Sequence, residues 1–254
     1  MPESKKPVKD NLKPDFSIEA DTIISRYMSV EQFLAIGESK TLTLPKIKCW
    51  EDPNESYEVR QFYDANIRCH QKKGEQETAL ILEKQKNDLL ERAFGICFTK
   101  TTESDAHWRI FSKQGTGIQI STNVRKLEDA MQNSNIYCLY AVGKVFYGTL
   151  EYAPNLVDGM SLSIHAHLKK DVPFENENEV RLVAVFILES GNRFPDLITI
   201  PIDSGFFSCI VIDPRAKKWE VAALKSYCRS KEWLKSIPVE QSQLYKKVED
   251  RSEE

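Results

Sequence analysis

The chain has 254 residues, of which 41% are hydrophobic and 29% are charged, and its formal net charge is −3. This composition is typical of a folded protein, and the near-neutral charge excludes global attraction to nucleic acid while leaving room for a local basic patch. No apolar run approaches the roughly 18 residues of a membrane span, and residues 1–15 lack the apolar segment of a secretory signal. We therefore predict a cytoplasmic protein with no membrane partner.

The first half of the chain alternates between strand and helix patterns. From the N-terminus we predict a strand, a helix, a strand, a polar loop, a helix and a buried strand, at residues 21–27, 29–37, 41–44, 46–55, 77–92 and 93–98. Ser29 and Gln32 have the spacing of a capping box, and Gly37 is the predicted stop of the same helix.

The second half of the chain is richer in strand patterns. We predict helices at 104–111, 123–132, 161–170, 216–226 and 231–237, and strands at 115–121, 137–142, 145–152, 180–188, 197–202 and 209–212. Four of the predicted helices precede residue 136, and the patterns from Ile136 onward are mostly those of strands, which favours an α+β fold with mixed, mainly antiparallel sheets and flanking helices over a regularly alternating parallel fold. We expect one domain at residues 16–245, between a flexible tail at 1–15 and a charged tail at 246–254.

Several common site motifs are absent from the sequence. None of the six cysteines has C-x-x-C spacing, so we expect reduced structural cysteines. The phosphate-binding glycine motifs and G-x-S-x-G are missing, as is H-E-x-x-H. His165 and His167 are two residues apart, which places them on different faces of a helix and makes a metal site there a minor alternative.

Two short segments carry side chains suited to a nucleotide. Arg26 and Tyr27 end a strand, where a guanidinium can hold a phosphate while the ring stacks on a base or amide. Thr99 and Thr101 follow a buried strand, where hydroxyls orient a ribose or a carboxylate, or else satisfy the loop backbone. Trp108 and Phe111, one helical turn apart, are either core residues or a stacking wall beside that strand.

An acidic row leads into the strand predicted at 180–188. In an extended strand Glu177, Glu179 and Arg181 project from the same face, since side chains alternate. Two adjacent carboxylates repel each other, so one is expected to have a raised pKa, as a general base requires, while Arg181 keeps the other ionised. The alternative is a solvated strand end in which Arg181 pairs with Glu179.

Two resemblances follow from these motifs. Arg26-Tyr27, Trp50-Glu51-Asp52-Pro53, Cys97-Phe98-Thr99, Trp108 with Gly115 and Gly117, Lys169 and Glu177-Asn178-Glu179-Val180-Arg181 occur in an order that resembles a bacterial family of domains of unknown function, over roughly residues 24–215. The chain also resembles ADP-ribosyltransferases of the Arg-Ser-Glu class, with threonine in place of the serine and with Arg181 as an addition to the pattern.

The second resemblance implies an ADP-ribosyltransferase-like fold and NAD as the substrate. It assigns catalysis to Glu179 and Glu177, with Glu179 on the nicotinamide ribose and Glu177 deprotonating the acceptor. It assigns NAD binding to Arg26, Tyr27, Thr99, Thr101, Trp108 and Phe111. The implied setting is a bacterial toxin or phage-defence effector that modifies RNA, DNA or protein and is held by an antitoxin protein.

Other readings stay open. A nucleic-acid acceptor is compatible with a local basic surface formed by Lys46, Lys48, Lys72, Lys73, Lys84 and Lys86. A non-catalytic ligand-binding or sensor domain would use Glu177, Glu179 and Arg181 as a structural ion network. A metal-dependent nuclease built on Asp52 and the acidic row is the third alternative.

Overall fold

The structure is a computed structural model, and it describes residues 6–112, 115–148, 164–187 and 194–246. Its α-helices, α1 to α6 in chain order, are Val30–Ser39, Tyr57–Lys72, Gln76–Glu91, Asp105–Phe111, Val124–Gln132 and Lys218–Ser230. Its strands, β1 to β12, are Val8–Lys9, Ile23–Ser29, Thr41–Pro45, Ala93–Thr99, Gly117–Asn123, Cys138–Lys144, Phe146–Tyr147, Lys169–Lys170, Glu179–Phe186, Leu197–Pro201, Cys209–Ile212 and Val239–Gln241. Short 3-10 helices span Ile47–Cys49 and Val172–Glu177.

The chain forms two compact units, and each is assembled from separate stretches of sequence. The first unit comprises Met1–Ile18, Thr43–Cys97 and Met131–Ile200, and the second comprises Glu19–Leu42, Phe98–Ala130 and Pro201–Glu254.

In the first unit, strands lie in the order β1, β6, β9 and β4. The central pair, β6 and β9, is antiparallel, whereas β1 adds to β6 in parallel. Strand β9 is buried over nearly its whole length, as expected for a strand covered on both faces. An apolar cluster lies around these strands and consists of Phe16, Ile47, Ala93, Ala141, Ile164, Leu168, Val183 and Val185.

In the second unit, strands β2, β5, β11 and β12 are neighbours in that order. The pairs β2–β5 and β5–β11 are antiparallel, and β12 joins β11 in parallel. At the other edge of β2, Ser25 lies opposite Thr99, which is the last residue of β4. The prediction of an α+β fold with mainly antiparallel strand pairing is therefore confirmed.

Several predicted elements differ from the structure. Helix α1 continues past Gly37 and is capped by Lys40, whose left-handed backbone lets its N–H donate to the Ile36 carbonyl. Residues 231–237, predicted as a helix, form turns, and Lys169–Lys170, predicted as helical, form β8. Helix α2 was not predicted, because its sequence is mostly polar and only Glu58, Val59 and Ile67 of its sixteen residues are buried.

Parts of other predictions lie outside the described residues. These are residues 149–152 of the strand at 145–152, residues 161–163 of the helix at 161–170, Leu188 at the end of its strand, and residues 247–254 of the charged tail. Within the predicted N-terminal tail, Val8–Lys9 pairs with β6, which needs only backbone hydrogen bonds and no apolar side chains.

Two global expectations can be compared with the described part of the chain. All six cysteines are free thiols, and Cys138 and Cys228 are buried. None of the described helices combines the length and the apolar character that crossing a membrane requires.

Candidate active site

A buried arginine organises the polar interior of the first unit. Arg181 on β9 is fully buried, and its two terminal nitrogens donate to both carboxylate oxygens of Glu55 at 2.9 and 2.8 Å. Its Nε donates to Glu179 Oε2 at 2.5 Å, and Nη1 also donates to the His167 carbonyl at 2.7 Å. The guanidinium carbon lies 4.9 Å from the centre of the Trp50 ring. A buried charge is tolerated only when it is paired and hydrogen-bonded, and Arg181 meets both conditions.

Lys170 joins the two glutamates that the sequence singled out. Its ammonium donates to Glu177 Oε2 at 2.6 Å and to Glu179 Oε1 at 3.0 Å. The same ammonium lies 4.5 Å from the centre of the Phe174 ring. The backbone N–H of Glu179 donates to the hydroxyl oxygen of Tyr147 at 2.8 Å. Both oxygens of the Glu179 carboxylate therefore accept charged hydrogen bonds, one from Arg181 and one from Lys170.

The backbone before β9 decides how the two glutamates meet. Glu177 is the last residue of the 3-10 helix at Val172–Glu177, which Asp171 caps by accepting the Val172 N–H. Asn178 then adopts a left-handed conformation with φ of 46°, and β9 starts at Glu179. The prediction that Glu179 and Arg181 share a face of one strand is confirmed by their contact. The prediction that Glu177 belongs to the same strand row is wrong, because Asn178 turns the chain before the strand begins.

The surroundings separate the acidities of the two carboxyl groups. Burial and the contact with Glu179 raise the pKa of Glu177 to about 7. Burial also opposes the ionisation of Glu179, but the charges of Arg181 and Lys170 outweigh it and hold its pKa well below the usual range. Two interacting carboxyl groups with separated pKa values are the arrangement that lets one hold a proton while the other stays charged.

Access to solvent distinguishes the same two groups. The side chain of Glu177 is 18% exposed, whereas that of Glu179 is 9% exposed and that of Arg181 is fully covered. Glu177 is therefore the carboxyl group of the pair that is more open to solvent, whereas Glu179 and Arg181 are enclosed.

A serine–histidine pair lies beside this cluster. Ser56 precedes α2 with φ of 62°, and its hydroxyl lies 2.8 Å from Nδ1 of His167. Complete burial and the charges of Arg181 and Arg60 lower the pKa of His167 to about 3, so the ring is neutral at pH 7. Nε2 of His165 accepts the Lys13 N–H. No group of metal-ligating side chains occurs among the described residues, so the minor alternative of a histidine metal site gains no support.

All six residues predicted to bind a nucleotide lie in the second unit, whereas Glu177 and Glu179 lie in the first. Ser25 and Thr99 oppose each other and share a face of the β2–β4 pair, and Tyr27 projects from the same face of β2. Arg26 projects from the opposite face, because it lies between Ser25 and Tyr27 along the strand. The structure therefore brings Tyr27 and Thr99 to one face and places Arg26 on the other.

An aromatic cluster surrounds Tyr27. Its ring centre lies 5.3 Å from His107, 4.7 Å from Trp108 and 6.3 Å from Phe111. Trp108 is fully buried and its indole N–H donates to Glu103 at 2.7 Å, which makes it a core residue. Phe111 is 42% exposed, so it is the ring of this cluster that a ligand can reach.

The two threonines satisfy the loop that follows β4. The backbone N–H of Thr101 donates to Oγ1 of Thr99 at 3.0 Å, and Thr99 is buried. This contact matches the alternative in which the hydroxyls stabilise the loop backbone.

Three of the six lysines predicted as a phosphate-contacting surface are paired with carboxylates. Lys46 is buried against Glu91 at 2.7 Å, Lys48 contacts the same carboxylate, and Lys86 lies 2.7 Å from Asp64. The other three, Lys72, Lys73 and Lys84, are exposed. Asp52, the centre of the nuclease alternative, accepts the Asn54 N–H in its own turn.

Sequence reasoning missed the partners that make the cluster. Glu55 is 126 residues from Arg181, and no local pattern links a glutamate in a polar loop to a distant buried strand. The signal that was present is the cost of burying Arg181, which requires an acidic partner on another segment. Lys169, which the first resemblance quotes, contacts Glu58, while its neighbour Lys170 faces the two catalytic candidates.

No protein-family model matches this chain, and no curated protein shows a significant sequence match to it.

Proposed function

We propose that the chain is an NAD-dependent mono-ADP-ribosyltransferase with an ADP-ribosyltransferase-like fold, in which Glu177 is the acid–base group. One observation carries the proposal: two carboxyl groups share the Lys170 ammonium, and one has a pKa of about 7 while the other is held ionised. Enzymes that break glycosidic bonds commonly use two carboxyl groups with different pKa values, because a positive charge develops on the sugar in the transition state.

The reaction assigns a separate task to each member of the cluster. The bond between nicotinamide and the ribose C1′ breaks, and nicotinamide leaves with the electron pair. A nucleophile of the acceptor attacks C1′, and its proton passes to the Glu177 carboxylate. Glu179 stabilises the developing positive charge through its own fixed charge rather than by hydrogen-bonding a ribose hydroxyl, because Lys170 and Arg181 already occupy its two oxygens.

The nucleotide-binding part of the proposal rests on the second unit. Phe111 offers an accessible ring for the nicotinamide, backed by Tyr27. Arg26 projects from the opposite face of β2, so a phosphate contact by Arg26 is supported by the resemblance alone. Trp108, Thr99 and Thr101 support these positions from within the fold. The setting remains the one that the resemblance implies: a cytoplasmic bacterial toxin or phage-defence effector with a macromolecular acceptor and an antitoxin partner.

The test is NAD turnover by the purified protein. Nicotinamide release and the transfer of label from adenylate-labelled NAD to RNA, DNA and protein fractions are measured for the wild type and for Glu177→Gln. We expect Glu177→Gln to lower kcat/KM by about a hundredfold or more, and the wild-type kcat/KM to rise with pH until about pH 7, where Glu177 is deprotonated.

The matched control is Glu175→Gln. Glu175 lies in the same 3-10 helix, two residues earlier, and is exposed. This variant should keep wild-type turnover and pH dependence. Undetectable turnover by the wild type with each acceptor fraction, or equal turnover by Glu177→Gln, would contradict the proposal.

A second function is favoured by a different observation. Arg181 and Glu179 are buried and paired at every charged atom described above, which is what a purely structural network in a ligand-binding or sensor domain would show. That reading predicts that Glu179→Gln lowers the melting temperature while calorimetry detects no NAD binding before or after the change. Nicotinamide release by the wild type that Glu177→Gln abolishes would exclude it.

A further inference from the structure

The outer face of α6 carries a row of positive charge beside an exposed indole. Lys218, Lys225 and Arg229 are spaced at i, i+7 and i+11, which aligns them along one side of the helix. Ala222 lies between them and adds no bulk. Trp219 is 66% exposed next to this row, whereas large aromatic side chains are usually buried. We call these four side chains, Lys218, Trp219, Lys225 and Arg229, the α6 surface.

The opposite face of α6 is already occupied. Leu224 and Cys228 are buried, and the Tyr227 ring lies 6.3 Å from Phe33 of α1. The Tyr227 hydroxyl donates to Glu38 Oε1 at 3.0 Å. This inner face anchors the helix on the second unit. Trp219 is exposed because it lies on the other side of the helix, away from these packing contacts.

The positive charges of the α6 surface are not neutralised by nearby acids. Among residues 6–112, 115–148, 164–187 and 194–246, Lys218, Lys225 and Arg229 take part in none of the ion pairs, whereas the neighbouring Lys231 and Lys235 pair with Glu38 and Glu232. The acidic residue of α6, Glu220, accepts the Lys217 N–H at 2.6 Å at the start of the helix. The row is therefore a local cationic stripe on a chain whose net charge is −3.

We propose that the α6 surface binds single-stranded nucleic acid, with Lys218, Lys225 and Arg229 on phosphates and Trp219 stacked on a base. The row extends about 16 Å along the helix axis, a length that several consecutive phosphates of one strand occupy. A line of cations next to one accessible ring is the combination that binds single strands without sequence preference.

The side chains on this face distinguish a nucleic acid from a membrane. A helix that lies in a membrane interface buries a broad apolar face of leucine, phenylalanine and tryptophan side chains. On the exposed side of α6, Trp219 is accompanied by Ala222, Ala223 and Ser226, which offer little apolar area. The α6 surface stands independently of the NAD chemistry proposed above, so either proposal can fail without the other.

The experiment measures fluorescence anisotropy of labelled twelve-nucleotide oligo(dT) and oligo(U) titrated with the full-length protein at several salt concentrations. We expect the triple variant Lys218→Gln, Lys225→Gln, Arg229→Gln to bind at least about tenfold more weakly and to flatten the dependence of log K on log salt by up to about two units. Trp219→Ala should weaken binding by roughly five- to a hundredfold and leave the salt dependence unchanged.

The matched control makes the same change in charge elsewhere. The triple variant Lys6→Gln, Lys13→Gln, Lys100→Gln removes three exposed lysines that lie outside α6 and outside the basic surface predicted from the sequence, and it should keep wild-type affinity. An abasic strand of the same length should bind more weakly than oligo(dT), and vesicles containing phosphatidylserine should not bind at all.

Four results would overturn the proposal. They are no binding by the wild type at low salt, equal losses in the two triple variants, an unchanged affinity for Trp219→Ala, and binding to the vesicles without binding to the oligonucleotides. Melting temperatures of all variants identify any loss that comes from unfolding, and Trp219→Phe, which keeps a ring, should restore most of the affinity lost in Trp219→Ala.

Discussion

The pKa values of Glu177 and His167 are shifted in opposite directions in the folded protein. Glu177 has its pKa raised from 4.5 to about 7, so the folded protein holds this proton more tightly than the unfolded chain does. His167 has its pKa lowered from 6.5 to about 3, so the folded protein holds that proton less tightly. Stability depends on pH wherever the folded and unfolded states bind different numbers of protons. The two residues therefore oppose each other in a shared pH range.

The signs give a prediction for two variants. The contribution of Glu177 to stability is present below pH 4.5 and is lost as pH rises to about 7, whereas that of His167 is present above pH 6.5 and is lost as pH falls toward 3. Between pH 4.5 and 6.5 we expect the free energy of unfolding of His167→Gln to slope downward with rising pH relative to wild type, by up to about 1.4 kcal/mol per unit. Glu177→Gln should slope upward by a similar amount.

Urea unfolding at intervals of half a pH unit measures both slopes. The difference from wild type cancels the titration of all unaltered groups, so each variant reports the residue it removes. Slopes of the same sign in the two variants would contradict the opposed titration.

At the scale of elements, α1 and α6 meet through a glycine. Gly37 lies inside α1, and a methyl group added there would stand 2.3 Å from the Tyr227 hydroxyl oxygen and 3.1 Å from two carbons of its ring. The Gly37 carbonyl also accepts the Trp233 indole N–H at 3.0 Å. The sequence pattern predicted this glycine as a helix stop, but its role is to let Tyr227 approach the helix backbone.

The effect of Gly37→Ala on the free energy of unfolding is expected to differ in sign between the wild type and the Tyr227→Phe variant. Alanine favours a helix interior by about 1 kcal/mol over glycine, but in the wild type the added methyl displaces the Tyr227 hydroxyl from Glu38 and costs about 1–3 kcal/mol. In Tyr227→Phe the clashing oxygen is absent, so Gly37→Ala should be neutral or stabilising there. A double-mutant cycle by thermal and urea unfolding measures this coupling, and additive effects of the two changes would contradict the close approach.

Elements defined by residues close together in the sequence were predicted correctly. The capping box between Ser29 and Gln32 forms as its spacing indicates, with the Gln32 N–H donating to Ser29 and the Ser29 N–H to Gln32. Strand β11 and helix α5 were placed within one residue of their bounds, because a short apolar run defines the strand and a clear apolar stripe defines the helix. Helix α2 escaped prediction because its sequence is mostly polar, although the helix packs against α3 in the structure.

At the scale of the whole molecule, some contacts of the site are specified by a single segment of sequence, and others form only when the fold brings distant segments together. The contact of Glu179 with Arg181 follows from strand alternation alone. The contacts with Glu55 and Lys170 depend on how the fold brings the turn before α2 and strand β8 to β9, and strand alternation within β9 does not encode them. The raised pKa of Glu177 also depends on the assembled fold, because burial of the side chain is its largest cause.

The buried ion pairs of Arg181 with Glu55 and Glu179 are expected to stabilise the first unit. Arg181→Gln removes the cation that pairs with Glu55 and Glu179 and leaves two buried carboxylates facing each other, which we expect to cost about 3–5 kcal/mol. Because all partners of Arg181 lie in the first unit, amide hydrogen exchange should accelerate most in β6 and β9 and least in β5 and β11 of the second unit. Arg125→Gln, which breaks an exposed pair with Asp21, should leave exchange in both units near wild type. Equal acceleration in β9 and β5 would show instead that the cluster stabilises the two units as a single cooperative structure.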